Sequence, residues 1–118
     1  MKIEIPFKTP SINHLYAQRG WRKFLTKEAK ELKKEIHKLI PKDTLDKKSK
    51  LRVIVEIYED WYTKKGDIKR VDISNREKFL IDSIFDKLKV DDKQIFDHTM
   101  RKIQSDEEKA VVTIIELK

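Results

Sequence analysis

Cysteine is missing from this sequence, so neither a disulfide framework nor a thiolate metal site can hold it together. Glycine occurs twice and proline three times. That is too little for a long flexible or polyproline linker, and there is no glycine-rich loop to cradle a phosphate. No apolar run reaches the ~20 residues that a membrane-spanning helix requires. The opening residues lack the pattern of a signal peptide. A cytoplasmic protein without membrane contact is the expectation. The histidines, His14, His37 and His98, are scattered with no metal-ligand spacing, which predicts structural roles for all of them. No nucleophilic triad and no internal repeat is present.

Charge is what the chain has in abundance: 42% of its 118 residues are charged, and the net charge is +7. The length suits one domain with one modest core. Residues 19–52 hold thirteen Lys/Arg against five Asp/Glu, a balance of +8, whereas residues 53–118 hold thirteen against fifteen, a balance of −2. A basic half beside an acidic half suits a metal-dependent enzyme acting on a polyanion such as DNA. It equally suits a lysine-rich surface that serves solubility.

Residues 2–7 alternate apolar and polar before Pro6 and predict a short strand near a sheet edge. Residues 8–23, with Pro10, Ser11, Asn13 and Gly20, read as a loop. Its Tyr16, Arg19, Trp21, Arg22 and Lys23 interleave aromatic and cationic groups that can stack on bases and pair with phosphates, although the residues alone favour Tyr16 and Trp21 packing over the core with the cations solvated. Thr26 is a helix cap, Ala29, Leu32, Ile36, Leu39 and Ile40 form an apolar stripe, and Pro41 stops the helix. Residues 51–59 alternate cleanly and predict the clearest strand. The loop that follows, residues 60–71, carries Trp61, Tyr62, Lys64, Lys65, Lys69 and Arg70 and runs straight into Asp72. Such a loop is suited to holding a DNA backbone.

The stretch Val71–Asp97 organises the rest. Ile81, Ile84, Phe85 and Leu88 recur at helical spacing and predict a helix from about Asn75 to about Leu88. Ser74 with Glu77 reads as a capping box at its start. Asp72 then precedes the N-terminus, where the dipole favours anions. Asp91 and Asp92 follow the helix in a returning loop. Carboxylates brought together repel unless a divalent cation neutralises them, and Mg²⁺ prefers carboxylate and water oxygens. Residues 94–103 and 110–117 predict two further strands, joined by a turn and expected to pair as an antiparallel hairpin. The order β-α-β-α-β-β implies an α+β two-layer sandwich, a mixed sheet with two helices on one face.

The order Asp72, Asn75, Lys78, Asp82, then Asp91, Asp92, Gln94 and Ile95, resembles the RusA-type Holliday junction resolvases. The opening Pro10, Asn13, Tyr16 and the late Lys102 are similar as well, so the resemblance covers nearly the whole chain. It implies a single endonuclease domain, active as a homodimer on four-way or other branched DNA in recombination and repair, with Mg²⁺ as cofactor and Mn²⁺ as a substitute. Carried over, Asp72 and Asp92 are the main metal ligands and Asp91 an auxiliary one. Lys78 contacts the scissile phosphate or orients the attacking water. Asn13 and Tyr16 line the pocket, and Arg19, Asn75 and the Lys64–Arg70 loop meet DNA.

One position departs from the family pattern: Ser74 stands where the resemblance implies a second carboxylate. Its hydroxyl is a poor metal ligand that can act through water. Two readings follow, a metal-dependent nuclease or a junction-binding module on the same fold that has lost cutting. From spacing alone, Lys78 also reads as an ion-pair partner of Asp82 at i,i+4.

Overall fold

A computed structural model describes residues 1–11, 16–19, 22–42 and 45–117, with the side chains of 16–19 and 22–25 outside the description. Strand β1 (Lys2–Ile5) opens the chain. Strands β2 (Tyr16–Arg19) and β3 (Arg22–Leu25) pair as a small antiparallel sheet of their own. This corrects the loop expected there, because antiparallel pairing of Tyr16–Arg19 with Arg22–Leu25 overrides the Pro/Gly punctuation. Helix α1 (Lys27–Leu39) starts as expected, with Thr26 Oγ1 accepting the Ala29 N–H at 3.2 Å.

Strand β4 (Lys50–Glu59), helix α2 (Ser74–Leu88), a 3-10 turn (Asp92–Gln94), strand β5 (Ile95–Gln104) and strand β6 (Lys109–Leu117) complete the α+β fold. The main sheet has the order β1-β6-β4-β5. Strand β5 runs parallel to β4, and β6 runs antiparallel to both β4 and β1. The expected β5–β6 hairpin is therefore overturned: β4 lies between them. The reason is in β4 itself. Leu51, Val53, Val55 and Ile57 are fully buried, so the strand occupies the centre, and α2 serves as the crossover that a parallel β4–β5 pair requires. The short link between β5 and β6 crosses the end of β4, where the Ser105 N–H bonds to the Glu59 carbonyl at 3.1 Å.

One side of the sheet is a continuous apolar surface. Val112 lies beside both Ile3 and Val55, and Ala110 beside both Ile5 and Ile57. The helices cover that surface: Ala29 and Ile36 from α1, and Phe79, Leu80, Ile81, Ile84 and Phe85 from α2, join the same core. Each fully buried Ile or Leu contributes roughly 1.5–3 kcal/mol relative to exposure. His37 Nε2 lies 2.8 Å from the Ser83 carbonyl and ties α1 to α2, which fulfils its structural expectation.

The start of α2 differs from expectation. Ser74 is the first helical residue, Ile73 occupies the cap position, and no side chain of the cap accepts a hydrogen bond. Glu77 does not reach back to the cap, because it is buried against His98 instead. The capping box is found one element later. Asp91 caps the 3-10 turn by accepting from Lys93 N, while Gln94 Oε1 accepts the Asp91 N–H at 3.0 Å. Helix α2 ends at Lys89, whose left-handed backbone lets its N–H bond to the Phe85 carbonyl. Among the described residues no helix is long and apolar enough to cross a membrane.

Candidate active site

Helix α2 packs beside the edge strand β5, and a cavity of about 500 Å³ opens between them. Ser74, Lys78 and Asp82, each one turn apart, form its helical wall together with Asn75, Glu77 and Ile81. Asp92, Ile95 and His98 form the opposite wall. Ile95 and His98 are an odd number of residues apart and would face opposite sides of a regular strand. A bulge reconciles them. The register with β4 slips between Leu51, paired with Ile95, and Arg52, paired with Asp97, leaving Phe96 as the extra residue. His98 thereby lies beside Val53 on the helix side of the sheet.

The turn that carries Asp92 is held from beneath by Gln94, a buried side chain. Its Nε2 donates to the Asp46 and Ser49 carbonyls, each at 3.0 Å. The Asp-Asp-x-Gln sequence thus has a division of labour. Asp91 and Gln94 build the turn, and Asp92 projects into the cavity. Asp91 is not among the cavity-lining residues; hydrogen bonding from the Lys93 N–H holds its carboxyl below the usual range.

Asp72 sits at the mouth rather than in the cavity. Its Oδ1 accepts the Ser74 N–H at 3.0 Å, and this bond, with a second from the Ser74 side chain, lowers its carboxyl pKa despite partial desolvation. The positive charge of Lys102 acts in the same direction. Lys102 Nζ also donates to the Val71 carbonyl at 2.5 Å and lies 4.9 Å from the centre of the Trp61 ring. It fixes the lead-in to α2, so the late lysine of the sequence motif has a positioning role.

Inside the cavity the carboxylates behave differently. Desolvation raises the Asp82 carboxyl and the nearby Asp92 charge adds to the rise, with Lys78 opposing it. Burial likewise raises Glu77, against the His98 imidazole, with Asp82 adding to the rise. Among the described residues Lys78 and Asp82 form no close ion pair, so the exposed ammonium of Lys78 is available to a ligand. Glu77 and His98 are the site residues that sequence reasoning passed over, one assigned to a cap and the other to the scaffold.

The residues expected to meet DNA divide. Asn75 lines the cavity. Lys64 and Lys65 are exposed on an excursion closed by a Tyr62–Ile68 bridge, with Gly66 at positive φ in its tip, and Arg70 is exposed just beyond the bridge. Lys69 folds back instead, its Nζ 2.8 Å from the Asp60 carbonyl. Trp61 is 3% exposed and donates its indole N–H to the Ile57 carbonyl, so it belongs to the core. Tyr62 is 43% exposed and remains free to stack. Asn13 lies outside the described residues, as do the side chains of Tyr16 and Arg19 on β2.

The cavity at the edge of the mixed sheet brings Glu77, Asp82 and Asp92 together with Lys78 and His98. The chain matches the family model for endodeoxyribonuclease RusA over residues 6–115. It belongs to the RusA endodeoxyribonuclease family. No curated protein matches it.

Proposed function

We propose that the chain is a Mg²⁺-dependent endonuclease that cuts four-way or other branched DNA in recombination and repair. In this reading residues 1–118 act as one nuclease domain in the cytoplasm. The observation that carries the reading is the meeting of Lys78, Asp82 and Asp92 across one cavity in a member of this family.

Asp92 and Asp82 fit a hard divalent cation. Desolvation first, and the Asp92 charge after it, raise the Asp82 carboxyl, and a cation beside it would favour the ionised form. Among the described residues no cluster of three or more His, Asp or Glu side chains could hold a metal. A bound ion would therefore rest on one or two carboxylates, with water and substrate phosphate oxygens completing its shell, as Mg²⁺ commonly does. Asp72 and Ser74 would contribute from the mouth of the cavity, Ser74 through water. When bound, the ion supplies Lewis-acid charge stabilisation and an acidified water. The ammonium of Lys78 would pair with a non-bridging phosphate oxygen and fix the diester against the carboxylate wall. Lys64, Lys65 and Arg70 would hold the flanking backbone, and Asn75 would contact DNA at the helix start.

Resolution of a four-way junction needs symmetric nicks, and each chain brings one candidate cutting site. A two-fold homodimer matches that substrate.

Ser74 favours a second reading, a junction-binding module that no longer cuts. A labelled four-way junction incubated with and without Mg²⁺ decides between them. The expected result is Mg²⁺-dependent nicking by the unmodified chain and its loss in Asp92→Asn with binding retained. Tight binding without nicking at any Mg²⁺ concentration selects the second reading.

A further inference from the structure

His98 Nε2 lies 3.1 Å from Glu77 Oε1, and both side chains line the cavity that contains Lys78, Asp82 and Asp92. The arrangement differs from that of His37, which is engaged with a backbone carbonyl between the helices. Glu77 is buried, its side chain 10% exposed, whereas that of His98 is 31% exposed. A buried carboxylate behind a partly exposed imidazole is the arrangement that fixes a tautomer: Nε2–H goes to the carboxylate, and Nδ1 keeps the lone pair. The strand bulge is what turns His98 to this side of the sheet, beside the acidic wall.

We propose that Glu77 and His98 form a proton-transfer dyad for phosphodiester cleavage, His98 taking the proton of the attacking water and Glu77 positioning the imidazole. The dyad rests on the nuclease reading above and adds to it a base that the carboxylates do not supply. In the step, a water proton moves to His98 Nδ1 as the water oxygen bonds to phosphorus. The P–O bond to the departing sugar breaks with its electron pair, and the alkoxide takes a proton from solvent. Solvent then removes the proton from the imidazole. One water and one diester become one monoester and one alcohol. The ionisable groups facing the dyad are Lys78 and Asp82 on α2 and Asp92 on the turn. Burial favours the neutral acid of Glu77, and the imidazole opposes this.

A base must be unprotonated to act, so cutting should fall as pH drops through the imidazole titration. The test pairs single-turnover cutting of a four-way junction across pH with NMR titration of the His98 ring in the metal-free protein. His98→Gln should slow cutting roughly 100-fold or more and abolish the acidic limb. In Glu77→Gln, any displacement of the NMR ring titration should be matched by the same displacement of the acidic limb. Wild-type rate and pH profile in His98→Gln would overturn the dyad while leaving the nuclease reading intact. So would a Glu77→Gln protein whose ring titration moves while its cutting profile stays fixed. Failure of the unmodified chain to cut any junction with Mg²⁺ would overturn the nuclease reading and the dyad together.

Discussion

The carboxylate of Asp72 accepts the backbone N–H of Ser74 at 3.0 Å, so the two positions that the family motif would make acidic are already hydrogen-bonded to each other. Ser74→Asp breaks the side-chain part of this arrangement and places like charges side by side. In EDTA the variant should melt at a lower temperature than the unmodified chain. Mg²⁺ should raise its melting temperature by more, and half-maximal cutting should need less Mg²⁺. Melting curves in EDTA and across a Mg²⁺ series check the first two, and junction cutting over the same series the third. An unchanged metal requirement would mean that the site is complete with serine.

Asp82 gives a pH prediction. Its folded-state carboxyl is raised above the ordinary 3.8, through desolvation and the Asp92 charge. The fold therefore binds this proton more tightly than the unfolded chain does. Stability is lost as pH rises from the ordinary value through the raised one. Asp82→Asn should gain melting temperature over the unmodified chain across that interval and keep the gain at neutral pH. Mg²⁺ should narrow the gap by stabilising the unmodified protein alone. Thermal melts at a series of pH values, with and without Mg²⁺, read both effects.

Gln94 should matter to both stability and cutting. Gln94→Ala leaves the Asp46 and Ser49 carbonyls and the Asp91 N–H without their partner. The expected loss is about 1–3 kcal/mol in a denaturant titration. Because Asp92 rides on the same turn, cutting should fall further than the fraction of unfolded protein explains.

On the excursion before α2, Lys64→Gln with Lys65→Gln should flatten the dependence of log K on log salt by roughly 1.8, if both meet phosphates. Lys69→Gln should change the slope little, since its ammonium is spent on the Asp60 carbonyl. Fluorescence anisotropy of a labelled junction over a salt series separates the two.

Arg76 joins α2 to distant parts of the chain. It lies 3.5 Å from Glu59 Oε2 and donates to the Thr9 carbonyl. Arg76→Met strands the buried Glu59 carboxylate and should cost about 3–5 kcal/mol. Adding Glu59→Met should recover much of the loss. A double-mutant cycle by urea denaturation checks it.

The parts legible in the sequence are those with a local cause. The apolar spacing of Ile81, Ile84 and Phe85 marks α2, and the strict alternation of residues 51–57 marks β4. The Thr26 cap and the motif carboxylates could be read in the same way. What escaped reading depends on partners far along the chain. Glu77 has the spacing of a capping residue, yet burial against His98 outweighs a cap bond that solvent can replace. Strands β5 and β6 look like a hairpin because they are neighbours in sequence. Their separation follows from the demand of β4 for neighbours on both edges. The bulge at Phe96 has no signature in the residue pattern, and it alone decides which way His98 points.

Among the described residues, those that line the cavity all fall within residues 74–98, and the strand that supports them, β4, starts at Lys50. The lysine-rich helix α1 and the β2–β3 pair come earlier. The described lining of the candidate site thus belongs to one uninterrupted β-α-β segment, while much of the positive charge is encoded upstream of it. Under the nuclease proposal, exchanging the upstream segment would change the charge offered to a polyanion while leaving these described wall residues in place, the same scissors in a different grip.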